Sequence, residues 1–215
     1  MYHLPHYKEQ DRQRIKEFII AHPFAMLVGC SDKMPVATQV PFLIEEKEGE
    51  LFLKGHIMKG TDHHKAFLQN KNALCVFTGP HTYVSARWYT EPKTASTWNY
   101  MSVHARGVLE FKNEDWLLDL LEKTTTHFEN DKDSPASYQN LSPEYVEKLA
   151  KAIEGFEIKV TALDGIFKLS QNRDKESYQN IIEHLEQQEG GQKIAEQMKY
   201  RETTLFSGKS KNGEL

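Results

Sequence analysis

The chain has 215 residues, 39% of them hydrophobic and 27% charged, with 31 acidic side chains against 27 Lys plus Arg and a formal net charge of −4. That length supports one large domain, or one domain with an appendage, around a sizeable core. The acidic balance opposes a broad electrostatic footprint on DNA, so a DNA partner is not supported by charge. No apolar run approaches the roughly 20 residues that span a bilayer. The N-terminus has neither a basic region nor an apolar h-region, so a secretory signal is not expected. Cys30 and Cys75 both lie in apolar, strand-like runs. They read as buried thiols of a reducing compartment, which points to the cytoplasm.

Asp11 is an N-cap for a first helix with Ile15, Phe18 and Ile19 as its stripe and Pro23 beyond its end. Phe24–Cys30 and Val36–Phe42 read as a hairpin across the polar turn Ser31–Pro35. Pro41 cannot donate to a ladder, which predicts an edge strand there. Free backbone groups beside Thr38 and Gln39 on that edge could hydrogen-bond a heterocycle, and an ordinary edge strand fits the segment equally well. Glu45–Glu50 reads as a charged turn and Leu51–His56 as a third strand. Thr61 then caps a helix carrying Ala66, Phe67 and Leu68. Helix starts attract anions, so Lys54, Lys59, Gly60 and Thr61 are candidates to hold a phosphate. His56, His63 and His64 do not complete a known metal spacing, because adjacent helical histidines point about 100° apart. No metal site is assigned.

Ala73–Pro80 reads as a central strand buried on both faces, and His81–Tyr89 as the next strand. The stretch from Thr97 to Phe111 splits by strand alternation into two faces. Asn99, Met101, Val103, Ala105, Gly107, Leu109 and Phe111 suit a core. Trp98, Tyr100, Ser102, His104 and Arg106 interleave aromatics with donors, which suits a planar, partly anionic ligand or a subunit interface. Asn113 and Ser142 cap two helices within about residues 113–153. Their stripes are Leu117, Leu120 and Leu121, and Val146, Leu149, Ala150 and Ile153. Gly155 is expected to end the second, and Phe156–Val160 to be the closing strand, with Leu163–Lys168 leading on. Tyr178, Ile181, Ile182 and Leu185 fit an amphipathic helix, and Ile194 with Met198 a weaker one. Short strands at this spacing argue for an antiparallel barrel.

In order and spacing, several pieces resemble the PaiB family of FMN-binding split-barrel proteins, known as negative transcriptional regulators of sporulation and protease genes. They are Met1-Tyr2 with Pro5-His6, Ala37–Phe42, Gly55-His56, Phe77–Pro80, Tyr83–Ser85, Trp88-Tyr89, Thr97–Tyr100, Val103–Ala105, Gly155–Ile158 and Lys168–Arg173. The resemblance implies a mainly β, α+β fold: a six-stranded antiparallel split barrel over residues 1–173 with inserted helices. A C-terminal helical extension over 174–206 and a frayed tail over 207–215 would follow. It further implies a homodimer with FMN at the subunit interface. Thr38, Gln39, Val40, Pro41, Lys54, His56, Lys59, Thr61, Trp98, Asn99, Tyr100, His104, Gln171 and Arg173 would then be cofactor-binding residues. After Gly55-His56 the family shows an Ala-Arg-Ala-Asn-Pro-like run, whereas this chain has Ile57–Asp62. The Arg is lost and Lys59 stands nearby as a point charge. No catalytic residue is assigned. The alternatives are an FMN-dependent oxidoreductase using a reduced nicotinamide, and a cofactorless dimeric interaction module.

Overall fold

In the computed structural model, residues 4–31, 34–131 and 133–207 are described. Met1-Tyr2 of the resemblance, Asp32 and Lys33 of the first turn, and tail residues 208–215 lie outside them. The elements are β1 (Lys8–Glu9), α1 (Arg12–Ala21), β2 (Phe24–Cys30), β3 (Pro35–Pro41), β4 (Leu43–Lys47), β5 (Glu50–Met58) and α2 (Asp62–Gln69). Then come β6 (Asn72–Val84), β7 (Thr97–Phe111), α3 (Glu114–Glu129), α4 (Pro143–Ala150), β8 (Ile153–Lys168), α5 (Lys175–Gln187) and α6 (Gln192–Leu205). The sheet order is β3-β2-β6-β7-β8-β5-β4, with β1 beside β8. This is a split barrel whose sheet does not close, and among the described residues it holds eight strands where six were expected.

The extra strands arise where local polarity hid pairing. Glu45-Glu46-Lys47 is no turn: it belongs to β4, where Glu45 pairs with Phe52 and Lys47 with Glu50. The reversal is confined to Glu48 and Gly49, both at positive φ, as a tight hairpin turn requires. Gly79-Pro80 does not break the chain, so β6 runs on to Val84 as one strand. Its residues alternate, Ala73, Cys75 and Phe77 buried with Leu74 and Val76 half-buried, instead of being buried on both faces. β8 likewise continues to Lys168, and Gly155 lies inside it rather than ending a helix. Pro41 ends β3, whose sheet neighbour among the described residues is β2 alone, so the edge expectation holds.

The chain divides into two compact units. One comprises residues 19–77 and 104–163, the other residues 1–18, 78–103 and 164–215. In the first, Leu27, Val40, Phe42, Leu53, Phe67, Phe77, Leu109, Phe156 and Ile158 are buried. The Phe42 ring lies 5.7 Å from Phe77 and 6.1 Å from Phe156. Helix starts follow the expected caps: Thr61, Asn113 and Ser142 each accept from the amide three residues on. Leu149, assigned to an apolar stripe, instead faces solvent, as do Leu68 and Cys30.

In the second unit, α5 and α6 bury Tyr178, Ile181, Ile182, Leu185, Ile194 and Met198. The Tyr178 hydroxyl donates to the Met198 carbonyl at 3.0 Å. Phe18 packs on Phe167 at 5.2 Å, and Glu9 is held by Arg14 at 3.2 Å and by Arg201. Asp11 caps α1 as expected, accepting from the Gln13 and Arg14 amides.

Candidate functional site

Along β7 the alternation anticipated from the sequence is realised: Asn99, Met101, Val103, Ala105, Gly107 and Leu109 are buried. Trp98, Tyr100, Ser102, His104 and Arg106 form the outward set, from half-buried to exposed. Within the second unit, Trp98 is 55% exposed and Tyr83 45%. Tyr83 meets Trp98 edge-on at 5.9 Å and His81 lies tilted against it at 6.3 Å. This is an exposed aromatic platform built by neighbouring strands β6 and β7, with half-buried Tyr100 on the same β7 face. Sequence reading missed His81 and Tyr83, because the pairing of β6 with β7 is not a local pattern.

The same unit holds the motif Lys168–Arg173. Asn99 and Gln171 are buried and turned into the protein. Asn99 is fully buried and exchanges hydrogen bonds with the Ser170 hydroxyl at 3.0 and 3.1 Å. Gln171 accepts from the Leu169 amide at 2.7 Å and donates to the Phe167 carbonyl at 2.5 Å. Both are corrected from ligand contacts to scaffolding, since buried amides must spend their hydrogen bonds internally. Lys168, also overlooked, donates to the Thr97 hydroxyl and, at 2.7 Å, to the Trp98 carbonyl. Burial, and secondarily the charge of Arg173, lower its pKa. Arg173 is half-buried and stacks 3.9 Å from the Tyr89 ring centroid.

In the first unit, Thr38 is half-buried and Gln39 exposed on β3, paired with Leu27 and Met26. Pro41 pairs with Phe24. Val40 is core, its side chain packed inside the unit. Lys54 is buried, donates to Glu45 and lies 3.7 Å from Glu157, which also pairs with Lys112 at 2.9 Å. Its ammonium sits 5.8 Å from the Trp116 ring. It lines a cleft of about 280 Å³ between β4, β5 and α3. A cation already facing two carboxylates makes a poor phosphate receptor, so its role is corrected to anchoring this ion cluster. Half-buried His56 has its pKa pushed below the ordinary 6.5 by burial, so it is neutral at physiological pH. Outward-facing His104 is half-buried.

The start of α2 is also committed. The Gly60 amide donates to His64 Nδ1 at 3.2 Å, the His63 amide to Asp62 at 2.7 Å, and the His64 amide to the Thr61 hydroxyl. His64 Nε2 then donates to Glu154 at 2.6 Å. The chain's own groups thus engage the amides of the anion site expected at Thr61, and Lys59 and Gly60 are exposed beside it.

The Lys54–Glu45 pair carries a pH prediction. Glu45 has a pKa lowered from its ordinary 4.5, chiefly by the hydrogen bond from Lys54. A depressed folded-state pKa gives stabilisation that is full above about pH 4.5 and lost as pH falls through the lower folded value. Glu45→Gln is therefore expected to flatten the fall in Tm between about pH 5 and 3. A variant with the wild-type slope would show that this pair does not contribute.

Comparison with known proteins adds an independent line. Residues 1–162 match a family model described as "Putative FMN-binding domain". The chain is 32% identical over 189 residues to the protease synthase and sporulation protein PAI 2 of Bacillus subtilis, covering 88% of this chain and 91% of that one. Among solved structures it is similar to the flavocytochrome Anf3 from Azotobacter vinelandii. The TM-score there is 0.61 at 17% identity, covering 83% of this chain and 78% of that one. The FAD- and heme-binding protein from Mycobacterium smegmatis gives a TM-score of 0.54 at 18% identity, covering 75% and 73%. At these identities the structures speak to the fold, a flavin-type split barrel. The residues present suit such a group: an open indole face for a planar ring system and a guanidinium fork for an anion. The chain belongs to the PaiB family of FMN-binding split-barrel proteins, with FMN as the family's cofactor.

Proposed function

We propose that this protein is a cytoplasmic, homodimeric FMN-binding regulator that lowers expression of its target genes. Its outward β7 face would take the flavin or the second subunit. The observation that carries the reading is the exposed Trp98–Tyr83–His81 platform in an FMN-binding family chain. Thr38, Gln39, Lys59 and His104 of the other unit are further candidates for flavin contact on the family resemblance. The regulatory half of the proposal draws on the name of the Bacillus relative, which refers to protease synthesis and sporulation. A net charge of −4 favours regulation through a partner or a ligand signal over direct operator contact. When bound, FMN supplies hydride and single-electron chemistry. This chain's residues would bind and orient it.

Purified protein is expected to keep flavin absorbance through dialysis and to run at about 50 kDa, twice the 24.9 kDa chain. It should leave promoter fragments unshifted at physiological salt. Loss of all flavin on dialysis would overturn the reading in favour of a cofactorless module. Rapid bleaching of bound flavin by NADH or NADPH would favour the oxidoreductase, a reading that the likeness in fold to a flavocytochrome keeps in play.

A further inference from the structure

Among the cations expected at a phosphate, Lys54 is neutralised by carboxylates, and the amides at the start of α2 are engaged by the chain itself. Arg173 is in a different condition. Ser170 at φ +62° turns the chain, and its carbonyl accepts the Arg173 amide at 3.0 Å. The guanidinium comes to lie 3.9 Å from the Tyr89 ring centroid. Stacking fixes the guanidinium plane while leaving its in-plane N–H donors available. Among the described residues no hydrogen bond or ion pair occupies them. The neighbouring carboxylate, Asp174, is taken up by the Ser177 amide at 2.9 Å and the Thr90 hydroxyl at 3.1 Å. The Tyr89 hydroxyl is buried without a hydrogen-bond partner, although buried hydroxyls are normally satisfied. Lys168 adds a second positive charge, close enough for Arg173 to depress its pKa.

We propose that Arg173, with Tyr89 beneath it and Lys168 beside it, is the receptor for the phosphate group of the bound ligand. This deepens the flavin reading above and rests on it: the phosphate would be that of FMN. An unsatisfied fork of donors matches a phosphate's oxygens two at a time, and a second cation nearby favours a dianion over a neutral group.

The test titrates FMN and riboflavin, which differ by the phosphate, into the wild type, Arg173→Ala and Arg173→Lys, followed by flavin fluorescence. Arg173→Ala is expected to weaken FMN roughly 10- to 100-fold and to leave riboflavin unchanged, with Arg173→Lys in between. Equal loss of both flavins, or loss of neither, would overturn the assignment. Thermal melts establish that each variant folds, and Arg173→Lys carries the test if the alanine variant does not. If the wild type binds neither flavin, it is the flavin reading that fails, and melts with pyrophosphate then decide the receptor. A rise in Tm for wild type that is absent in Arg173→Ala upholds it, and no rise in wild type overturns it.

Discussion

Gly107→Ala is expected to be among the most damaging single substitutions in this chain, lowering stability by about 3 kcal/mol. A Cβ at Gly107 would press against the carbonyl oxygen of Lys159 and stand 2.7 Å from Ile158 Cγ2 and 2.9 Å from the Lys159 carbonyl carbon. Two of these atoms are backbone, so no rotamer change relieves the clash and β7 must move away from β8. The movement disturbs the layer in which Ala105, Leu109 and Ile158 are completely buried, where packing is as dense as an organic crystal and strain spreads. Urea unfolding reads the effect as a lower midpoint at unchanged slope. A midpoint equal to wild type would show that the β7–β8 spacing is not set at this residue.

Asn99→Ala is the second large effect, at about 2–4 kcal/mol. The substitution removes both hydrogen bonds to Ser170 and leaves a buried hydroxyl unmet. It also takes away the group that holds a non-glycine residue at φ +62°, a conformation that costs roughly 1–2 kcal/mol. Adding Ser170→Ala should recover part of the loss, so that the double variant is less destabilised than the sum of the singles. Strict additivity would mean the two side chains do not act as a pair. Because Ser170 leads directly into Arg173, Asn99→Ala is also expected to weaken FMN binding. Asn99 would act there by positioning, and the pairing rescue with Ser170→Ala separates this from general unfolding.

The two predictions also show what a sequence can and cannot disclose. The faces of β7 were legible because strand alternation is a property of the chain alone, and the caps Asp11, Thr61, Asn113 and Ser142 because each acts within three residues. β4 was hidden because Glu45, Glu46 and Lys47 look like a turn until Leu51 and Phe52 lie beside them. The full lengths of β6 and β8 were missed because partners far along the chain carry strands through Gly79-Pro80 and Thr161–Asp164. The site followed the same rule. Trp98 could be named from its chemistry on the β7 face, and Arg173 only from the family resemblance. The commitments of Lys54 to Glu45 and Glu157, of Thr61 to its own helix, and of Asn99 to Ser170 depend on neighbours between 3 and 103 positions away. The residue under Arg173, Tyr89, is 84 positions upstream, and nothing local tied the two together.

The discontinuity of the two units has a consequence for biosynthesis. Residues 19–77 and 104–163 are all translated before the segment 164–215, which completes the other unit. The ribosome therefore delivers everything one unit needs while residues 1–18 and 78–103 still await their partner segment. Non-local strand pairing is slow to form, and chains fold unit by unit as they emerge. Lys168 and Arg173 belong to the segment made after every residue of the other unit. A ligand that depends on them can be captured only once that segment has emerged, so loading follows the synthesis of the first unit rather than guiding it.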